Sequence, residues 1–291
     1  MGKTKARPLR LPTSQKALPA PAAAQSPEQD TKLTETLIGI DIGGTGIKGG
    51  LVDPAQGTLL AGPVHVPTPQ PATPAAVAEA VAQVVDSLAH LPDAPAPHAP
   101  VGIAFPGIIR HGVVHSAANV DDGWLDTDIV TFLGDGLGRP VEVINDADAA
   151  GLAESRYGAG AGITGTILVI TLGTGIGSAF IFNGQLVPNS ELGHLEVDGC
   201  DAETKASAVA RERNGLPWDE YSVVLQRYFS HVEFLFSPEL FIVGGGISQR
   251  TDKFIPRLNL RTPIVPARLF NDAGIIGAAL HRHQKHLSRP S

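Results

Sequence analysis

Three times in this chain an apolar run stops at a cluster of glycines. Leu37–Ile42 leads into Gly43-Gly44-Thr45-Gly46 and resumes as Ile47–Val52. Thr166–Leu172 leads into Gly173-Thr174-Gly175-Ile176-Gly177 and resumes through Phe182. Leu240–Val243 runs into Gly244-Gly245-Gly246. Short apolar runs bounded by glycine read as buried strands, and the first two read as strand, tight turn, strand. Glycine permits positive φ and lets main-chain N–H groups come close to an anion. The turns lack the Walker pattern, GxxxxGK[ST] followed by a helix. One such turn could belong to any β-protein. Three in this order, with threonine in the first two, point to a phosphate donor held between two facing domains, each holding one copy of the hairpin.

Between these landmarks the chain alternates in the α/β manner. Thr58 to Val66 is expected as a further strand. The run Pro67 to Pro74 excludes regular structure, with Thr73 and Pro74 placed to start a helix. Val77, Val81, Val84, Val85 and Leu88 give that helix one apolar face. Val101–Phe105 is a buried strand, Ile108 to Ser116 a hairpin, and Asn119 to Asp128 a loop in which Trp124 either lines a cleft or simply packs. Val141–Ile144 is a short strand followed by an alanine-rich helix to about Tyr157. Glu203 to Arg213 reads as one charged helix, Tyr221 to Leu235 as a long amphipathic one, and Asp272 to about His283 as a terminal helix.

The candidate chemistry sits where these elements meet. Asp41 closes the first strand and is placed to hold a hydrated metal ion, while Thr45 and Lys48 can donate to phosphate oxygens. Asn145-Asp146 lies where a strand meets a helix, the end of a strand at which ligands gather. A carboxylate there can take the proton of an attacking hydroxyl, although both residues also suit a plain helix N-cap. Glu191-Leu-Gly-His194-Leu-Glu196 packs two carboxylates and an imidazole into six residues, a set that suits a polyhydroxyl ligand. The competing reading is a zinc site of His194 with Glu191 and Glu196, or a charged surface loop. Glu203 could add a further hydroxyl contact.

Composition narrows the function classes. Lys and Arg number 22 against 29 Asp and Glu, a net charge of −7 that argues against coating a nucleic acid. Residues 1–36, with six basic and three acidic side chains and many prolines, read as a disordered leader. One cysteine, Cys200, excludes a disulfide framework within the chain and fits a reducing cytoplasm. No apolar run is long enough for a membrane span.

Together these residues resemble the ROK family of sugar kinases, within the actin-like ATPase-domain superfamily. The resemblance runs from Leu37 to about Leu280. It rests on Asp41–Thr45, Asn145–Ala149, Leu172–Gly177, Glu191–His194 and Ile242–Gly246 in the family's order. Within the family it narrows to the polyphosphate glucokinases of actinobacteria, on Thr68–Pro74, Gly112–Val120 and Leu260–Pro266. The resemblance implies an α/β, two-domain actin-like ATPase (ribonuclease H-like) fold with an interdomain cleft. The leader would span 1–36, a small domain 37–144 plus 272–291, and a larger domain 145–271.

The implied reaction is hexokinase-type phosphoryl transfer giving glucose 6-phosphate, with mannose as a second acceptor, from inorganic polyphosphate or ATP with Mg²⁺. Asp146 would be the general base. Asn145, Glu191, His194 and Glu203 would hold the sugar, and Asp41 would act on magnesium through water. Gly43, Gly44, Thr45, Lys48, Gly173, Thr174 and Gly175 would hold phosphates, and Gly244, Gly245 and Gly246 would face a nucleotide. For polyphosphate, Lys48, Lys205, Arg211 and Arg213 are the candidate basic track. Many family members carry a zinc-binding cysteine cluster after the Gly-His pair. Here only Cys200 falls in that region, so zinc is not expected, and Glu203 lacks its family anchor. The resemblance also implies a cytoplasmic homodimer with no nucleic-acid or membrane partner. The alternatives are a strictly ATP-dependent glucokinase, a sugar-binding protein without catalysis, and a sugar-sensing ROK transcriptional regulator. The last would need a helix-turn-helix domain, for which 1–36 is too short and too rich in proline.

Overall fold

A computed structural model describes residues 35–287, with side chains described to Arg282. Nearly all of the expected leader lies outside the described residues. The first half runs through β1 (Leu37–Ile42), β2 (Gly46–Asp53), β3 (Thr58–Leu59), β4 (Val64–Pro67), α1 (Pro74–Ala89) and β5 (Val101–Phe105). It continues with the hairpin β6 (Ile109–Arg110) and β7 (Val113–Val114), then α2 (Ile129–Leu137), β8 (Val141–Asn145) and α3 (Asp146–Arg156). The second half runs through β9 (Thr166–Leu172), β10 (Ile176–Phe182), β11 (Gln185–Val187), the hairpin β12 (Glu196–Val197) and β13 (Cys200–Asp201), α4 (Glu203–Ala206) and α5 (Ala208–Arg213). Helix α6 (Trp218–Phe236), β14 (Leu240–Gly244), β15 (Ile264–Pro266) and α7 (Ala273–Leu287) complete it.

The two main sheets share one plan. One is ordered β3-β2-β1-β5-β8 with β4 beside β2, the other β11-β10-β9-β14-β15. In each, an antiparallel hairpin (β1/β2, β9/β10) is joined on one side by a further antiparallel strand and on the other by two parallel strands. All five residues of β5 and of β14 are buried, as central strands covered on both faces require. Helix α1 begins at Thr73, whose hydroxyl accepts from Ala76 N, with Pro74 in the first turn where its missing N–H costs nothing. It buries Val77, Val81, Val84, Val85 and Leu88 on the first sheet. Helix α6 buries Tyr221, Leu225, Tyr228, Phe229 and Val232 beside Phe241 of β14 and Phe254.

Helices α3 and α7 pack together between the sheets, and each has crossed over. Helix α3 follows the first sheet but lies on β9 and β10, whereas α7 follows the second sheet and lies on β1 and β5. Contact between the helices is close enough to require glycine: a Cβ at Gly277 of α7 would run into the Ala149 carbonyl of α3. A crossed pair of this kind ties the halves together at one axis and brings the N-terminal ends of α3 and α7 to the two glycine hairpins.

Two local expectations are corrected. The stretch 58–66 is two short strands, because the chain bends at 60–61 between them. The charged helix expected over 203–213 breaks at Ser207, which leaves α4 extended and caps α5 by accepting from Ala210 N at 3.1 Å. Trp124 is fully buried against Phe105 and Phe132 and donates to the Ala72 carbonyl at 3.0 Å, so it packs and does not line a cleft. Among the described residues no helix is long and apolar enough to cross a membrane.

Candidate active site

The first turn closes when Gly43 N donates to the Gly46 carbonyl at 3.0 Å, between the paired Ile42 and Ile47. It is braced from outside. Thr68 Oγ1 donates to the Gly43 carbonyl at 2.5 Å, Thr68 N to the Thr45 carbonyl at 3.3 Å, and Gln70 Nε2 to the Gly44 carbonyl at 3.3 Å. Asn119 packs so close to Gly44 that a side chain there would strike it. These braces all use carbonyl groups. The N–H groups of Gly44 and Thr45 are left without a protein partner among the described residues, and Thr45 is exposed.

The second turn repeats the pattern with other partners. Gly173 N donates to the Gly175 carbonyl at 3.0 Å, Val209 N of α5 to the Gly173 carbonyl at 3.2 Å, and Ile176 N to Glu203 Oε2 at 3.1 Å. Thr174 and Gly175 likewise keep their N–H groups free of protein partners among the described residues. The third glycine run lies against this turn: Gly245, at φ 78°, faces the Leu172 backbone so closely that no side chain would fit.

Asp146 begins α3 immediately after Asn145, whose carboxamide caps the helix. Asp148 N donates to Asn145 Oδ1 at 3.0 Å, and Asn145 Nδ2 donates to the Gly107 carbonyl at 3.2 Å. The cap reading of Asn145 is therefore real, and it leaves one N–H and one lone pair of the amide available. Asp146 is open to solvent on one side, yet enough protein surrounds it that desolvation raises its carboxyl above the ordinary range, against hydrogen bonds from the backbone of Ala147 and its own N–H. Asp41 is pushed up to about 6, chiefly by desolvation, then by the charge of Asp146, with Lys48 pulling the other way. Gly274, in the first turn of α7, abuts the Asp41 carboxyl.

Glu191 is half-buried at the start of a 3-10 turn, Leu192–His194. Ser178 of β10 fixes this segment: its hydroxyl donates to the Ser190 carbonyl at 2.6 Å and accepts from Leu192 N at 2.9 Å. Burial raises the Glu191 carboxyl; His194 lowers it, and Asp146 and Glu203 raise it further. His194 Nδ1 meets Asp201 Oδ2 at 2.8 Å, and that hydrogen bond is the largest of the influences raising its imidazole. The structure thus gathers Asp41, Asp146, Glu191, His194 and Glu203 into one electrostatic neighbourhood, each felt by the next. It does not gather the zinc set of His194 with Glu191 and Glu196. The group that converges is His194, Asp201 and Glu203, whose ligand atoms lie within 4.8 Å of one another and are already engaged with Asp201 or Ile176 N.

Two of the four basic candidates are committed elsewhere. The Arg211 guanidinium stacks 3.8 Å from the Trp218 ring centre, and Arg213 Nη2 donates to the Thr204 carbonyl at 3.0 Å. Lys48 stands on β2 beside Asp41, and Lys205 is exposed on α4. Thr68, Gln70, Asn119, Asp148 and Asn189 went without a role in the sequence reading. Asp148 lies inside the Asn145–Ala149 run and could have been found there. The others depend on loops whose meeting no periodicity announces.

The ROK family model matches residues 37–215. The polyphosphate glucokinase of Mycobacterium tuberculosis is 48% identical over 243 residues, covering 83% of this chain and 89% of that protein. The crystal structure of the inorganic polyphosphate/ATP-glucomannokinase from Arthrobacter sp. strain KM matches with a TM-score of 0.84 and 74% identity, covering 87% of this chain and 100% of that one. A ROK glucokinase from Streptomyces griseus, solved with glucose and AMPPNP, matches at a TM-score of 0.70 and 26% identity over 86% of this chain and 99% of its own.

Proposed function

This chain belongs to the ROK family, and on that premise we propose that it is a kinase moving a phosphoryl group from inorganic polyphosphate or ATP to the 6-hydroxyl of glucose, with Asp146 as the general base. What supports the reading is that Asp146 stands within electrostatic reach both of Glu191, which also feels His194, and of Asp41, on the strand leading into the first glycine turn. A sugar-holding set and a phosphate-holding set then share one carboxylate.

The chemistry follows from these placements. A carboxylate whose pKa is raised by desolvation is a stronger base than an ordinary one when ionised, so Asp146 can take the hydroxyl proton as the oxygen forms its bond to phosphorus. The bond from phosphorus to the rest of the donor breaks, and its electrons stay on the departing phosphate chain. Glu191 accepts from sugar hydroxyls, His194 accepts or donates, and Asn145 contributes its remaining N–H and lone pair. Glu203 joins this set through its place beside His194. Phosphate oxygens are received by the free N–H groups of Gly44, Thr45, Thr174 and Gly175, with Gly43 and Gly173 shaping the turns and Lys48 adding charge. Gly244, Gly245 and Gly246 face the nucleotide when ATP is the donor. Asp41 suits Mg²⁺ held through water, because a carboxyl that burial and Asp146 both push toward protonation gains most from a nearby cation. When bound, Mg²⁺ would neutralise charge developing on the donor oxygens.

Mannose as a second acceptor, a homodimer and a cytoplasmic location belong to the same reading. The deciding experiment is a coupled assay of glucose and mannose, each against ATP and polyphosphate, on the wild type and Asp146→Asn. We expect glucose turnover with both donors and a loss of about a thousandfold in kcat for Asp146→Asn, in the range of a removed acid–base group. Near-full turnover in that variant would remove the base. Lys205→Ala should lower the polyphosphate rate more than the ATP rate; equal changes would take Lys205 out of the polyphosphate track.

A further inference from the structure

Asp148 has no part in the reaction as described, yet it is 1% exposed and its Oδ1 has no hydrogen-bond partner among the described residues. A buried, half-satisfied carboxylate costs folding stability. Its other oxygen closes a ring of hydrogen bonds. Asn189 N donates to Asp148 Oδ2 at 2.7 Å. The Asn189 carboxamide then pairs with both backbone groups of Ile109, accepting from its N at 3.1 Å and donating to its carbonyl at 3.0 Å. Two residues before Ile109, the Gly107 carbonyl accepts from Asn145 Nδ2, and Asn145 Oδ1 accepts from Asp148 N. Three segments distant in sequence are thereby fixed to one another: the start of α3, the strand-to-hairpin junction at 107–109, and the segment 189–191.

We propose that Asp148 is a positioning residue for the sugar: through Asn189 it sets the segment bearing Glu191 against the helix bearing Asp146. The proposal rests on the assignment of Glu191 to sugar binding and Asp146 to proton transfer made above. Asp146 lies between Asn145 and Asp148 within the ring, and Glu191 lies two residues past Asn189. Any slack in the ring changes the distance between base and sugar-holding carboxylate without touching either glycine turn. Asn189 sits at φ 59°, a conformation asparagine tolerates better than most residues, so the segment is held in a bent shape that the ring maintains.

The test uses the full-length protein with Asp148→Ala, Asp148→Asn and Asn189→Ala. Two quantities are read: the exchange rate of the backbone N–H at position 189, and the KM for glucose beside that for each donor. Asp148→Ala and Asn189→Ala should speed that exchange and raise the glucose KM about tenfold, the effect of one lost hydrogen bond to a charged group, with donor KM values unchanged. Asp148→Asn keeps an acceptor for Asn189 N and should restore both readings to within about twofold, which a general loss of fold would not allow. Unchanged exchange, equal shifts in both KM values, or an asparagine variant as poor as alanine would each overturn the proposal. If Asp148→Ala does not fold, Asn189→Ala, which cuts the ring at a partly exposed residue, decides alone. If the wild type phosphorylates no hexose, the catalytic reading fails, and the exchange measurement still decides whether the ring holds the segment.

Discussion

The two glycine hairpins occupy equivalent places in sheets of the same order and direction, yet they end in opposite chemistry. In the first, Asp41 pairs across the strands with Lys48. In the second, the same place is held by Thr171 and Gly177. The helices that cover them differ in the same sense. The start of α3 brings Ala147, and with it Asp146, onto Gly177, whereas the start of α7 offers only Gly274 to Asp41. Charge is thus supplied to the first hairpin by its own strands, and to the second by Glu203 of α4 and by a helix that crosses from the other half. A duplicated scaffold can specialise in this way because the turn backbone does the same work in both copies. The side chains around it are then free to diverge.

That division of labour can be broken by experiment. Asp41→Asn should lower kcat about a hundredfold with either donor, as for loss of one group that stabilises transferring charge. Thr171→Val, the matching change in the second half, should cost less than about threefold, since no charge is removed. Comparable losses at the two positions, measured at saturating Mg²⁺, would end the claim that only the first hairpin takes its charge from its own strands. The pH profile tests the contribution of α3. Because the Asp146 carboxyl is raised, it takes up its proton at a higher pH than an ordinary aspartate and ceases to be a base there. The acid limb of kcat/KM should therefore lie above the ordinary value of 3.8, falling about tenfold per pH unit below it, and should report Asp146 together with the acids that share its field. A limb at or below that value would show that desolvation does not govern the base. The braces should act on binding alone. Thr68→Val, which frees the Gly43 carbonyl, should raise donor KM about fivefold and leave glucose KM alone. Glu203→Ala should move both, because Glu203 holds the second turn and also stands beside His194. A donor-only effect of Glu203→Ala would separate it from the sugar.

The strands and both glycine turns could be read from the chain because each is local: a buried strand is a run of apolar residues, and a turn is a run of glycines. Asp146 and Glu191 could be picked out by residue type at an element's end. Thr68 was visible as part of a proline-rich run, but not as a brace, since the run meets Gly43 only after the chain has turned back beside β2. Asn189 gave no signal at all. Its value lies in a backbone shape and in two hydrogen bonds to Ile109, eighty positions away. The rival zinc reading of His194 with Glu191 and Glu196 was not met for a similar reason: Glu196 starts β12 after the 3-10 turn has ended, and Asp201 comes into reach of His194 through the β12–β13 hairpin instead.

What the sequence determined by itself was the inventory: two hairpins, a third glycine run, an acid at the head of a helix, and an acid–imidazole pair ahead of a charged helical stretch. What only the tertiary structure decided was the crossing of α3 and α7, which puts the acid grown from one sheet onto the turn of the other. Local sequence pattern sets conformation over one turn or one strand. The meeting of Asp146, Asp41 and Glu191 depends on which face of each helix is buried and on how closely two backbones approach at Gly277, quantities that exist only once the whole core has packed.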